Sequence, residues 1–128
     1  MAGDTIAGAR MAPESNAQVL FLRLALPGRP ERNVGVFILD KPTGGLYFRL
    51  REDWDRIADR DEAELLSQLH ADFERRIREL GEHAGERFLQ ALEDQLSNIL
   101  RLTARSPVRA SDLRSELDRL FEEHCATS

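Results

Sequence analysis

The chain has 128 residues, 41% of them hydrophobic, with 18 basic against 23 acidic residues, a formal net charge of −5 and one cysteine. That is enough chain for one domain with an ordinary core, and it excludes an internal disulfide framework and a membrane-spanning apolar run. The acidic balance argues against indiscriminate nucleic-acid binding, whose affinity comes mainly from neutralised phosphates.

Charge is uneven along the chain. Residues 1–52 carry seven Arg/Lys against five Asp/Glu, whereas residues 53–104 carry seven against thirteen. The first residues lack the continuous apolar core of a signal peptide, and the lone Cys125 fits a reducing compartment, so the expected location is a cytoplasm.

Residues 1–16, rich in Ala and Gly without periodicity, read as a flexible tail, and residues 17–128 as a single domain. Ala17 to Leu26 alternates as a strand, with Leu20, Leu22, Leu24 and Leu26 on one face and Val19, Phe21 and Arg23 on the other. Pro27, Gly28 and Pro30 break it. A second strand from Asn33 is apolar on both faces, Val34, Val36 and Ile38 pointing one way and Gly35, Phe37 and Leu39 the other, which is the pattern of a strand inside a sheet. The turn with Pro42, Gly44 and Gly45 leads to a third strand with Leu46, Phe48 and Leu50 inward and Tyr47, Arg49 and Arg51 outward.

From Glu52 the period becomes helical. Asp53 offers a cap for a short turn carrying Trp54 and Ile57, and Asp59 with Glu62, or Asp61 with Glu64, reads as a capping box. One stripe then runs through Leu65/Leu66, Leu69, Phe73, Ile77 and Leu80 to a terminating Gly81. A second helix begins near Ala84 to Glu86 and carries Phe88, Leu89, Leu92, Leu96 and, at its end, Ile99. Leu100 to Ala110 alternates as a fourth strand interrupted by Pro107. Ser111 offers an N-cap for a last helix buried through Leu113, Leu117, Leu120 and Phe121. The fold class expected is α+β: an antiparallel sheet of three to four strands centred on the hairpin, two long helices on one face, and a C-terminal helix.

Arg23, the Pro27 to Glu31 connection and Asn33-Val34-Gly35-Val36 followed by Ile38-Leu39-Asp40 resemble the opening of a small bacterial domain family of unknown function. The turn Ser106-Pro107-Val108 and the helix Leu117-Asp118-Arg119-Leu120-Phe121 are similar to its close. The resemblance implies a gene neighbourhood beside HipA-like kinases and assigns no catalytic residue. Leu20 and Phe21 depart from the tyrosine and small apolar residues expected in its first strand.

No catalytic constellation, metal site or cofactor motif emerges. His70, His83, His124 and Cys125 lack ligand spacing. Asp53, Asp55, Asp59, Asp61, Glu62 and Glu64 cluster where helices start and are explained by capping and the helix dipole. Gly44-Gly45 and Gly81/Gly85 lack phosphate-loop spacing. Arg75, Arg76 and Arg78 with Glu74, Glu79 and Glu82 read as solvated pairs on a helix.

One pattern stands out. If the leucine face of the sheet packs on the helices, the opposite face carries Phe21, Phe37 and Tyr47 with Arg23, Arg49, Arg51, Arg101 and Arg105. Stacking area beside forked donors is what sheet platforms use to hold partners or anionic ligands. The leading expectation is a non-catalytic protein-binding or adaptor module using that face, toward a protein partner or as a homodimer. The alternative is sheet-face recognition of single-stranded nucleic acid or a nucleotide. A third is a small hydrolase or transferase using Asp40, His70 or His83.

Overall fold

The computed structural model describes residues 15–96 and 99–126. Five strands form one antiparallel sheet: β1 (Ser15–Leu24), β2 (Arg32–Asp40), β3 (Gly45–Leu50), β4 (Leu100–Leu102) and β5 (Ser106–Ala110). The spatial order is β3-β2-β1, with β4 and β5 both pairing along the far edge of β1. β4 and β5 are therefore the fourth strand expected from the sequence, divided in two. The division lies at Thr103–Arg105 and not at Pro107, which sits within β5 opposite Gln18. There the Thr103 hydroxyl accepts from Phe21 N at 2.9 Å while Thr103 N donates to Phe21 O at 2.9 Å, which bridges the break. Ser15 and Asn16, read as tail, belong to β1; residues 1–14 lie outside the described residues.

Helices cover both faces. On one lie α1 (Arg60–Leu66), α2 (Leu69–Leu80) and α3 (Gly85–Gln95), after a 3-10 turn at Trp54–Arg56; α4 (Leu113–His124) lies on the other. The first core joins Leu20, Leu22 and Leu24 to Trp54, Leu66, Leu89 and Leu92, and contains an aromatic group in which Phe37, Phe48, Phe73 and Phe88 meet at centroid distances of 5.6 to 6.3 Å. Such tilted and edge contacts stabilise beyond the area they bury. The second core joins Val19, Val36 and Ile38 to Leu113, Leu117, Leu120, Phe121 and Cys125.

Two face assignments differ from the alternation read in sequence. Phe37 is 0% exposed and lies among the leucines, not on the opposite face. Alternation says which residues share a face within one strand; the pairing of Leu20 with Phe37 decides which face of the next strand joins it. Val34 leaves the face of Val36 and Ile38 for that of Phe37, because a bulge shifts the register between Leu22 and Arg23. The Asn-Val-Gly-Val motif thereby acquires a physical meaning. Asn33 Oδ1 accepts from Arg23 at 2.7 Å and its amide donates to His124 O at 3.2 Å, while a Cβ on Gly35 would stand 2.4 Å from Leu50 Cδ2.

Helix starts and breaks also depart in detail. Asp112, not Ser111, caps α4, its carboxylate accepting from Arg114 N and Ser115 N. Asp59 and Glu62 do form the capping box, with Glu62 accepting from Asp59 N at 3.0 Å. Asp53 makes no cap bond, because Arg51 holds its carboxylate. The stripe read as one helix is split at Ser67–Gln68. The Ser67 hydroxyl donates back to Glu64 O at 2.7 Å, a bond that competes with the helix ladder. Leu66 is buried, whereas Leu65 is 70% exposed.

Arg51 fixes α4 to the sheet. Only 6% exposed, it reaches both carboxylate oxygens of Asp53, at 2.9 and 2.7 Å, and donates to Cys125 O at 2.9 Å. Together with Asn33 on His124 O, this satisfies carbonyls that the end of a helix leaves unpaired. On the same face Arg49 stacks 4.2 Å from the centroid of Phe121 and pairs with Asp118 at 3.1 Å.

Arg51→Met should cost about 2–3 kcal/mol, as expected for losing hydrogen bonds to a charged group, read as a lower urea midpoint. Arg51 holds the Asp53 carboxyl below its ordinary value of 3.8. Its contribution is thus complete above about pH 4 and lost as pH falls through the depressed folded value. The gap between wild type and Arg51→Met should narrow as pH falls through that range. Leu66→Ala should cost about 3 kcal/mol, and Leu65→Ser less than about 0.5 kcal/mol, in the same measurement.

Candidate functional site

The aromatic and arginine face expected to serve as the binding surface lies beneath α4, and its members are dispersed. Phe21 meets the His124 ring edge-on at 5.3 Å, and Tyr47 sits under Arg114, 5.5 Å from guanidinium carbon to ring centroid. Phe37 is in the other core. The arginines have carboxylate partners: Arg23 and Arg101 on Glu31, Arg49 on Asp118, Arg51 on Asp53, and Arg105 on Glu86. Arg101, and secondarily Arg23, lower the pKa of Glu31, and Arg105 lowers that of Glu86. These are ion pairs that fasten elements together. Arg105 comes from the β4–β5 junction and also meets Gln18, so it ties the sheet to the start of α3.

The polar groups suited to acid–base or nucleophilic work have local tasks. Asp40 accepts from the Thr43 hydroxyl at 2.9 Å, and His83 Nδ1 donates to Thr43 O at 2.8 Å. His70 is exposed and packs on Phe48 at 5.1 Å between centroids. Burial pushes the Cys125 thiol up to about 12, so it is neither a ready nucleophile nor a ready metal ligand at neutral pH. Among the described residues, no three His, Cys, Asp or Glu side chains are placed to hold a metal ion. No helix among them is long and apolar enough to cross a membrane.

What the structure brings together instead is a groove along β3, an edge strand. Arg51 N donates to Val34 O at 2.8 Å, so alternation turns the N–H and C=O groups of Arg49 and Tyr47 toward β2. Those of Leu46, Phe48 and Leu50 point outward, and among the described residues no strand pairs with that side. Beside the edge is a depression of about 640 Å³. Leu46, Tyr47 and Phe48 form its floor, α2 supplies one wall through His70, Glu74, Ile77 and Arg78, and Arg114 of α4 stands on the other.

The two edges of the sheet differ. The outer edge of β4–β5 is broken at Thr103–Arg105 and carries Pro107, both devices that discourage a further strand. β3, GLYFRL, has no proline, no lysine and no bulge against β2. Its position is held by the turn before it. Gly85 N donates to Gly44 O at 2.9 Å, and a Cβ on Gly44 would stand 2.3 Å from His83 O. The hairpin turn and the α2–α3 turn therefore pack backbone on backbone, which keeps α2 alongside β3.

Of the groove residues, only Tyr47 belonged to the binding face read from sequence. In the sequence Ile77 belongs to a buried helix stripe, Glu74 and Arg78 read as solvated helix surface, and nothing singles out Arg114. A sequence signal was nonetheless present: after β3 the chain supplies only helical periodicity until Leu100, so no consecutive strand is available to cover that edge.

Residues 29–125 match a family described as a protein of unknown function, DUF3037. No curated protein and no solved structure matches the chain.

Cys125 should resist a thiol reagent in the native protein and react stoichiometrically once urea unfolds it, as measured by mass spectrometry. Rapid labelling of the folded protein would contradict its burial.

Proposed function

The chain belongs to the DUF3037 family, and we propose that its domain is a non-catalytic protein-binding module that takes an extended segment of a partner as an additional strand on β3. The observation that carries this reading is the unblunted β3 edge at the floor of the groove between α2 and α4. Strand addition gains affinity from main-chain hydrogen bonds and specificity from alternate side chains. Both are available here: outward backbone groups at Leu46 and Phe48, and differently lined walls on the two sides.

The reading keeps the adaptor role and moves the site from the sheet face to the sheet edge. A nucleic-acid platform would need the face that α4 covers, and a hydrolase or transferase would draw on Asp40, His70 or His83, of which Asp40 and His83 are engaged at the hairpin turn and His70 packs on Phe48. A cytoplasmic setting fits a module of this kind with a buried thiol. A HipA-like kinase encoded nearby, as the sequence resemblance implies, is the first partner we would co-express.

Leu46→Pro removes an outward N–H at the start of an edge strand, where proline is tolerated, and leaves the β2 bonds in place. Leu46→Ala removes the same side chain but keeps the N–H. Tagged proteins would be used to capture partners from nuclease-treated native lysate. Retention should persist in Leu46→Ala and fall by about tenfold in Leu46→Pro, the loss expected for about one hydrogen bond. Equal retention by the two variants would sink the reading.

A further inference from the structure

The groove also carries information about what sort of strand it takes. A strand laid on β3 presents alternate side chains to the two faces of the sheet. On the α2 side they would meet Leu46, Phe48 and Ile77, which are apolar and only partly buried. On the α4 side they would meet Tyr47 and Arg114. Among the described residues, Arg114 has no carboxylate within ion-pair distance; its guanidinium rests on the Tyr47 ring, 5.5 Å from the centroid. This distinguishes it from Arg49, which Asp118 neutralises one turn further along the same helix.

From this asymmetry we infer that β3 takes an extended partner segment in which apolar residues, facing α2, alternate with acidic residues, facing Arg114. The inference rests on the strand-addition reading and names its ligand class. The lining also sets the orientation of the alternation. The α2 wall carries Glu74 and Glu82 as well as Arg78 and His70, a mixed charge around the apolar strip of Leu46, Phe48 and Ile77, so apolar side chains fit that side best. A carboxylate turned to the α4 side meets the exposed Arg114 guanidinium, which no carboxylate approaches within ion-pair distance among the described residues, so a charge-assisted, forked contact is favoured.

The same argument disfavours a second copy of this chain. The β3 strand of another copy would offer Leu46, Phe48 and Leu50 to the α2 side, which fits. It would bring Tyr47 and Arg49 to the α4 side, Arg49 already paired with its own Asp118, and so would offer Arg114 no carboxylate.

The test uses two blocked synthetic peptides, one alternating valine with glutamate and one alternating valine with lysine, added to the full chain. Affinity is measured by calorimetry and amide exchange by NMR. The expected result is about tenfold tighter binding of the glutamate peptide, slowed exchange at Leu46 and Phe48, and a reversed preference in Arg114→Glu. Equal affinity for the two peptides, or preference for the lysine peptide, with those amides protected would overturn the acidic assignment and leave strand addition standing. No binding, or binding without protection at those amides, would overturn the assignment; strand addition itself falls only if Leu46→Pro and Leu46→Ala also retain partner equally. A free protein with the solution mass of two copies and protected edge amides would make the occupant a second chain and overturn the inference.

Discussion

The attachment of α4 depends on Arg51. Its guanidinium is taken out of water at the end of β3, and its stability there requires that every donor direction find a partner. Asp53 supplies the charge and Cys125 O supplies a helix-terminal carbonyl, so one side chain joins the end of the sheet, the turn that begins the helical segment and the last turn of the chain. An apolar residue of similar length could fill the space without tying these three together, since hydrophobic contact is non-directional. The direction of the hydrogen bonds sets how far along the sheet α4 lies. That placement closes the aromatic face and positions Arg114 at the β3 edge.

With both faces covered, the sheet meets solvent chiefly along its edges, and these are treated differently. One is divided and carries a proline; the other is continuous and flanked by two helices, with Leu46 and Phe48 in the groove and Leu50 buried at its end. Exposed strand edges are a liability that proteins ordinarily blunt. Leaving one intact inside a groove limits access to a single extended chain, which is consistent with selective pairing and not with open aggregation.

Much of this architecture was legible in the sequence because burial follows period. The stripe Leu113, Leu117, Leu120, Phe121 and the pair Phe88, Leu89 could only be helix faces, and Asn33 to Leu39 could only be an interior strand. What could not be read were relations between strands. Nothing local to Phe37 says that it stands opposite Leu20, and nothing local to Val34 announces a bulge whose cause lies in pairing with Leu22 and Arg23. Adjacent candidates were equally ambiguous: Ser111 and Asp112 both suit a cap, and Leu65 and Leu66 both suit a stripe, until tertiary packing selects one of each. The arginines were visible as residues but not as partners, since Arg101 meets Glu31 and Arg105 meets Glu86 across stretches of 70 and 19 residues. The binding face inferred from their alternation was thus built from side chains that the fold uses as fasteners.

The backbone contact between Gly44 and the turn of His83 and Gly85 has a mechanical consequence. Where two main chains touch with no side chain between them, they cannot slide without losing the bond from Gly85 to Gly44, so the hairpin tip and the head of α3 move as one body. Any widening of the groove must pivot about that point. The far end of α2, near His70 and the Ser67–Gln68 break, has the longest lever arm and the weakest helical continuity. Any opening of the cleft would therefore work like a pair of shears riveted at the hairpin, widest beside Phe48.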